Sequence, residues 1–186
     1  MIAVYARYRG REKGRAAVVE RSAEALGTLS GIGAFEILGV EDIRTTAETP
    51  EASLNLIMAL LSDGSWAISL GFAETSAGAL AAATKAIGVK AGQVRVAVDK
   101  QNATTEASDI AAAFALLAHV LHKRTFEGRE ATSLVRRGLN QNEAAAELGI
   151  SKQAISQRLH AAGWPAEQAG WQLALNLITR AADQAG

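Results

Sequence analysis

The spacing of apolar residues along the chain switches between a period of two and one near 3.6, and the switches lay out its elements. Residues 2–8 (Ile-Ala-Val-Tyr-Ala-Arg-Tyr) are short, apolar and partly β-prone, which predicts a strand. Ala16, Val19, Ala23 and Leu26 then recur at helical spacing, behind an entry flanked by Gly10 and Gly14. A glycine-containing stretch from 27 to 33 ends that helix. Residues 34–44, with Phe35, Ile37, Val40 and Ile43, predict a second strand or one half of a hairpin. Thr49-Pro50-Glu51 starts a helix on physical grounds: a threonine that can accept an orphan N–H, a proline suited to the first helical position, and a carboxylate at the positive end. Leu54, Ile57, Leu60 and Leu61 are its buried stripe. After the turn signal Asp63-Gly64, Trp66, Ile68, Leu70 and Phe72 alternate with Ala67, Ser69 and Gly71, the pattern of a half-buried strand. Alanine-rich residues 76–87 predict a helix, and Val94, Val96 and Val98 a fourth strand. The first hundred residues therefore mix strands and helices in an α+β or α/β order.

From about residue 104 onward the strand pattern disappears. Ile110, Phe114, Leu117 and Leu121 mark an amphipathic helix that closes the first domain, links it to a second, or does both. Residues 127–137, 141–148, 151–162 and 165–184 predict four more helices. The expected organisation is an α+β domain over 1–122, with a connecting helix at about 104–122, followed by an all-α domain over 123–186.

Composition narrows the chemistry. With 49% apolar residues the chain of 186 can bury a core, and with no cysteine it holds no disulfide, zinc-finger or Fe–S site. No apolar run approaches the length of a membrane span and no signal peptide is evident, so a cytoplasmic protein is expected. The formal net charge of zero excludes a globally basic DNA-coating protein but hides a pattern. Residues 1–21 carry six basic side chains against two acidic ones, concentrated at 7–15. Residues 22–119 are acidic, and residues 120–164 are basic again, with seven cationic against four anionic groups. Basic blocks in a neutral chain point to local anionic contacts or to solvated faces.

The segment from Gln141 to Leu159 (QNEAAAELGISKQAISQRL) has the spacing of a helix-turn-helix. Ala145 is small where two helices cross. Gly149 supplies the left-handed turn between them, and Ser151 can N-cap the second helix. Leu148, Ile150, Ile155 and Leu159 are apolar where a small three-helix core needs them. Gly163, then Trp164-Pro165, ends the second helix and begins another. On the outer face Ser151, Lys152, Gln153, Ser156 and Gln157 are polar and suited to base edges, since glutamine pairs bidentately with adenine and lysine donates to guanine. Arg136, Arg137, Arg158 and His160 are suited by type to phosphates, which supply affinity without sequence information.

This segment resembles the helix-turn-helix of sigma-factor region 4 and related bacterial regulators. With Arg158-Leu159-His160-Ala161-Ala162-Gly163-Trp164 included, it is more specifically similar to the C-terminal module of SatD-type proteins, over about a third of the chain. The resemblance implies a preceding α+β domain distantly similar to the ferredoxin-like fold of nucleotidyl cyclases and GGDEF proteins. The stretch Ser69-Leu70-Gly71-Phe72-Ala73-Glu74 resembles that family's glycine-containing strand. One departure matters. Where the family tends to place an acidic residue at the end of its first strand, this chain has Ala6-Arg7-Tyr8-Arg9, and only Glu41 and Asp42 lie near the second acidic position. Two metal-binding carboxylates from separate strands cannot be assembled, so magnesium-dependent phosphoryl transfer is not expected.

No P-loop, Rossmann fingerprint, zincin motif or nucleophile elbow occurs. Gly10 and Gly14 among arginines could bind a phosphate or simply turn a loop into a helix. His119 and His122 fit partly buried helix packing better than metal ligation. Trp66 is expected in the core, and Trp164 and Trp171 in the core or at a subunit interface. The expectation is a non-enzymatic bacterial regulator without metal or cofactor, binding double-stranded DNA through helix 151–162, with an unknown small-molecule effector or protein partner possible. The alternative is a protein-interaction or nucleotide-sensing module derived from an inactive cyclase-like enzyme. A homodimer is expected because Trp171, Leu173, Ala174, Leu175, Leu177 and Ile178 spread apolar surface over more than one helix face. That surplus calls for the N-terminal domain or a second copy, with helix 105–122 (Phe114, Leu117) as the competing dimer element.

Overall fold

A computed structural model of the chain describes residues 1–99 and 104–185; Lys100, counted in the acidic stretch above, and Gly186 lie outside them. The elements run β1 (Ile2–Tyr8), α1 (Arg15–Leu26), β2 (Glu36–Leu38), β3 (Asp42–Ala47), α2 (Pro50–Asp63), β4 (Trp66–Phe72), α3 (Ser76–Ala86) and β5 (Val94–Val98). Helices α4 (Thr104–His122), α5 (Phe126–Arg136), α6 (Gln141–Glu147), α7 (Lys152–Ala161) and α8 (Trp164–Ala185) follow. The protein is α+β, built on one mixed sheet.

The sheet has the order β2-β3-β1-β4-β5. β1 lies between β3 and β4, antiparallel to both, and β5 pairs in parallel with β4 at the edge. A parallel neighbour needs a crossover, and α3 supplies it. Ile2, Val4, Ala6 and Tyr8 of β1 point into the main core, which also takes in α1, α2, α4 and α8. Ala3 and Tyr5 point the other way, onto Ala79 and Ala83 of α3. A strand covered on both faces reads as a continuous apolar run, which is the character of residues 2–6.

Two expectations change here for identifiable reasons. The run at 34–44 is not one strand. Gly39, at a φ of 76°, breaks it into the β2–β3 hairpin, and Ile37 and Val40 are exposed. β4 alternates in sequence as a half-buried strand does, yet all seven of its residues are buried. Its small positions face α3, which packs close because nothing larger stands in the way. A Cβ at Gly71 would lie 2.2 Å from the Ala79 carbonyl oxygen and 2.5 Å from the Ala83 nitrogen. Ser69 Oγ donates to the Ala83 carbonyl at 2.6 Å.

α2 starts and stops as its sequence predicts. Thr49 accepts from the Ala52 N–H at 3.1 Å, Pro50 opens the helix, and Gly64 closes it at a φ of 81°. Leu54, Ile57, Leu60 and Leu61 are buried.

The expected division at 122–123 is crossed by α8. Its first turn packs Trp164 against a small core made by Ala131, Leu134, Ala144, Ala145, Ile155 and Leu159. The rest of the helix returns to the main core, where Ala174, Ile178, Ala181 and Ala185 are buried beside α4. Gly170 permits the close α4–α8 crossing, because a Cβ there would meet Leu117 Cδ2 at 2.8 Å. Most of the apolar surplus on α8 is thus covered inside the chain: Trp171, Leu175 and Leu177 pack on the main core, and Leu173 alone of the six expected residues is exposed. Phe114 and Leu117 of α4 are likewise buried. His119 and His122 are exposed rather than partly buried, because α4 turns them away from its packed stripe. Among the described residues, no helix is long and apolar enough to cross a membrane.

The tight β4–α3 contact is testable. Gly71→Val should lower unfolding stability by about 1–3 kcal/mol or more, because backbone rather than a movable side chain meets the added carbons. Urea denaturation measures it, and an unchanged midpoint would mean that α3 stands off the sheet.

Candidate nucleic-acid interface

Helices α5, α6 and α7 form a compact head, and local chemistry fixes each end. Thr125 caps α5 by accepting from the Gly128 N–H at 3.2 Å. Asn140 caps α6 reciprocally: its Oδ1 accepts from Asn142 and Glu143 N–H, and the Glu143 carboxylate accepts from the Asn140 N–H at 2.8 Å. The turn after α6 closes on two bonds, Ile150 N–H to Ala145 O at 3.0 Å and Gly149 N–H to Ala146 O at 3.2 Å. This Schellman pattern needs a left-handed residue, and Gly149 provides it at a φ of 63°. Ser151 Oγ then accepts from the Ala154 N–H at 3.1 Å and starts α7.

α7 is divided along its length. Ile155 and Leu159 are buried against Ala144 and Ala145 of α6, so both alanines, not Ala145 alone, permit the crossing. Lys152, Gln153, Ser156 and Gln157 are exposed, as are Ser151 and His160. The four residues 152, 153, 156 and 157 share a face by helical spacing. Arg158 is half-buried and close enough to Glu127 for its charge to act on it. The Glu127 carboxyl is held below the usual range chiefly by its own backbone N–H, then by the Thr125 hydroxyl, with Arg158 adding to both.

The phosphate candidates separate. Arg137 is exposed at the end of α5, and its backbone N–H closes that helix. Arg136 points elsewhere: its Nη2 donates to Glu167 Oε1 at 2.6 Å, and its guanidinium lies 5.8 Å from the centre of the Trp164 ring. That side chain is committed to α8 and not to the face that carries Gln153 and Gln157.

Two residues that sequence reasoning missed tie the head to the body. Arg124, in the link between α4 and α5, is 6% exposed, and Glu167 of α8 is 4% exposed. Arg124 donates through Nη2 to Glu167 Oε2, through Nε to the Ala162 carbonyl at 2.8 Å, and through Nη1 to Thr132 Oγ1 at 3.5 Å. Ala162 closes α7, so the buried guanidinium sits at the negative end of that helix. No local spacing could have revealed a pair 43 residues apart. The Asn140 cap, by contrast, was legible as Asn-x-x-Glu.

The N-terminal basic segment is partly neutralised. Arg7 makes a two-bond pair with Asp42 at 2.7 and 3.1 Å, and Glu41 accepts from Arg9 at 3.0 Å and from Arg15. The carboxylates of Glu41 and Asp42 are therefore bound to arginines. Among the described residues, no group of three or more acidic or histidine side chains is placed to hold a metal ion.

No family model matches the sequence, and no curated protein matches it. Among solved structures, the crystal structure of a regulator of polyketide synthase expression from Bifidobacterium adolescentis aligns over 98% of this chain and 79% of that chain, at 15% identity and a TM-score of 0.28. A superposition that loose does not establish a shared fold. The likeness to sigma-factor region 4 and to SatD-type proteins accordingly stays a resemblance carried by residues 141–164.

The buried ion pair predicts an asymmetry. Glu167→Ala leaves Arg124 buried without its carboxylate and should cost about 3–5 kcal/mol. Arg136→Gln, at a half-exposed site, should cost about 0–1 kcal/mol. Urea unfolding of both variants checks the order; equal losses would contradict it.

Proposed function

We propose that the chain is a sequence-specific double-stranded DNA-binding regulator of the bacterial cytoplasm that reads the major groove with α7. The observation that carries this reading is the division of α7: a buried Ile155–Leu159 edge fixes the helix on α6, and the opposite face offers polar side chains alone. Gln153 and Gln157 then reach base edges, with Lys152, Ser156 and the Ser151 hydroxyl proton beside them near the helix start, the part that enters a groove deepest. Arg158, His160 and Arg137 are left for the flanking phosphates.

The N-terminal domain serves this reading as a sensory or interaction part and not as an enzyme. The order β2-β3-β1-β4, with α1 and α2 in the core on one face, supports a ferredoxin-like ancestry with β5 added at the edge. Arg7 in place of a carboxylate, bound to Asp42, supports the loss of any cyclase-like metal chemistry. A homodimer would place two heads about 34–36 Å apart on one face of the duplex. With most of the α8 surplus covered within the chain, its interface would lie outside that helix.

Selection of bound duplexes from a random pool, using the full chain, tests the reading. Against the selected site, Gln153→Ala and Gln157→Ala should each flatten the preference at particular base pairs by about 1–3 kcal/mol. Arg158→Ala should weaken every duplex alike. Unchanged binding in all three variants would overturn the assignment of α7. A pool with no enriched duplex would favour the rival reading, a helix-turn-helix that docks a protein.

A further inference from the structure

A cavity lies away from the polar face of α7, in a groove between α2 and α8. It measures about 680 Å³, within the range of small-molecule sites at roughly 300–1,000 Å³. Leu29, Met58, Ala59, Trp164 and Trp171 supply its apolar walls. Trp164 and Trp171 stand seven residues apart, two turns along one side of α8, so a flat molecule has an indole at either end. Ser62 and Arg136 line this groove and also line a recess of about 200 Å³ that continues it.

The recess has a different chemistry. Arg124, Arg129 and Arg136 line it together with Ser62, Thr132 and Ser133. Three guanidinium groups meet one carboxylate, Glu167, which already accepts from Arg124 and Arg136. Two positive charges are left over. A phosphomonoester dianion matches that excess, and its oxygens match donors arranged in guanidinium forks. An apolar groove that opens into a cationic recess fits a molecule with a planar body and one such group.

We propose that the α2–α8 groove and its arginine-lined recess bind a small aromatic phosphomonoester, with the ring between Trp164 and Trp171 and the phosphate at Arg129 and Arg136. The site also has a route to the head. A phosphate at Arg136 competes with Glu167 for that guanidinium, and Glu167 holds Arg124, which holds the carbonyl that ends α7. This second consequence rests on the proposed DNA reading; the binding itself does not.

Calorimetric titration of the full chain with 1-naphthyl phosphate tests the site. One molecule should bind per chain, with 1-naphthol, 1-naphthoate and inorganic phosphate each weaker by roughly tenfold or more, since each lacks the ring or the dianion. Arg129→Gln, at an exposed position, should weaken 1-naphthyl phosphate by roughly tenfold. Ala59→Leu should block the groove while leaving inorganic phosphate unaffected, which separates loss of the pocket from loss of the fold. No binding of 1-naphthyl phosphate at millimolar concentration would overturn the proposal. So would inorganic phosphate or 1-naphthoate binding as tightly, or indifference to both substitutions. None of these outcomes depends on whether the chain binds DNA.

Discussion

The carboxylate of Glu167 is buried where a lone charge is costly, and two guanidinium groups reach it from the link before α5 and from the end of α5. Much of the remaining arrangement follows from that meeting. Arg124 cannot bond Glu167 and the Ala162 carbonyl together unless α8 begins directly beside the end of α7. Ala162 and Gly163, the latter at a φ of 67°, make that junction in two residues. The head therefore does not hang on a linker. It is set against α8 by a buried polar contact, and α8 in turn is set against α4 and α2 by its apolar face.

The head needs this support. Its core has six buried residues, three of them alanine, and a cluster that size stabilises little by burial alone. Caps at Thr125, Asn140 and Ser151 satisfy helix ends that such a core cannot protect, and the Gly149 turn fixes the angle between α6 and α7. The result holds one face of α7 rigidly without burying it. Rigidity of that kind, with polar side chains left uncommitted, is what groove reading requires.

How much was legible in the sequence depended on the range of the interactions. Thr49-Pro50, Asp63-Gly64, Ala145, Gly149 and Ser151 act through neighbours within one turn, so their residue types announce the helix ends and the crossing. The Asn140 cap was equally local and readable. β4 misled because alternation reports side-chain size, and its small positions are small to admit α3 rather than to face water. The run with Ile37 and Val40 read as one strand because hydrophobicity does not record that Gly39 between them turns the chain. Arg136 was assigned to phosphate by charge type alone, while its direction is set by Glu167, far along the chain. Contacts of that kind, like α8 returning to the main core, appear only once the fold brings distant segments together.

The central claim is that a duplex is held through α7 and its flanking cations. The most direct measurement is titration of the unmodified full chain with a selected duplex across a series of salt concentrations. Phosphate contacts release counterions, so log K should fall linearly with log salt, at a slope of about −0.9 for each phosphate engaged. Three or so contacts, from Arg137, Arg158 and His160, set the scale for a single head. Binding that does not exceed an unrelated protein's, or that is indifferent to salt, would contradict the claim.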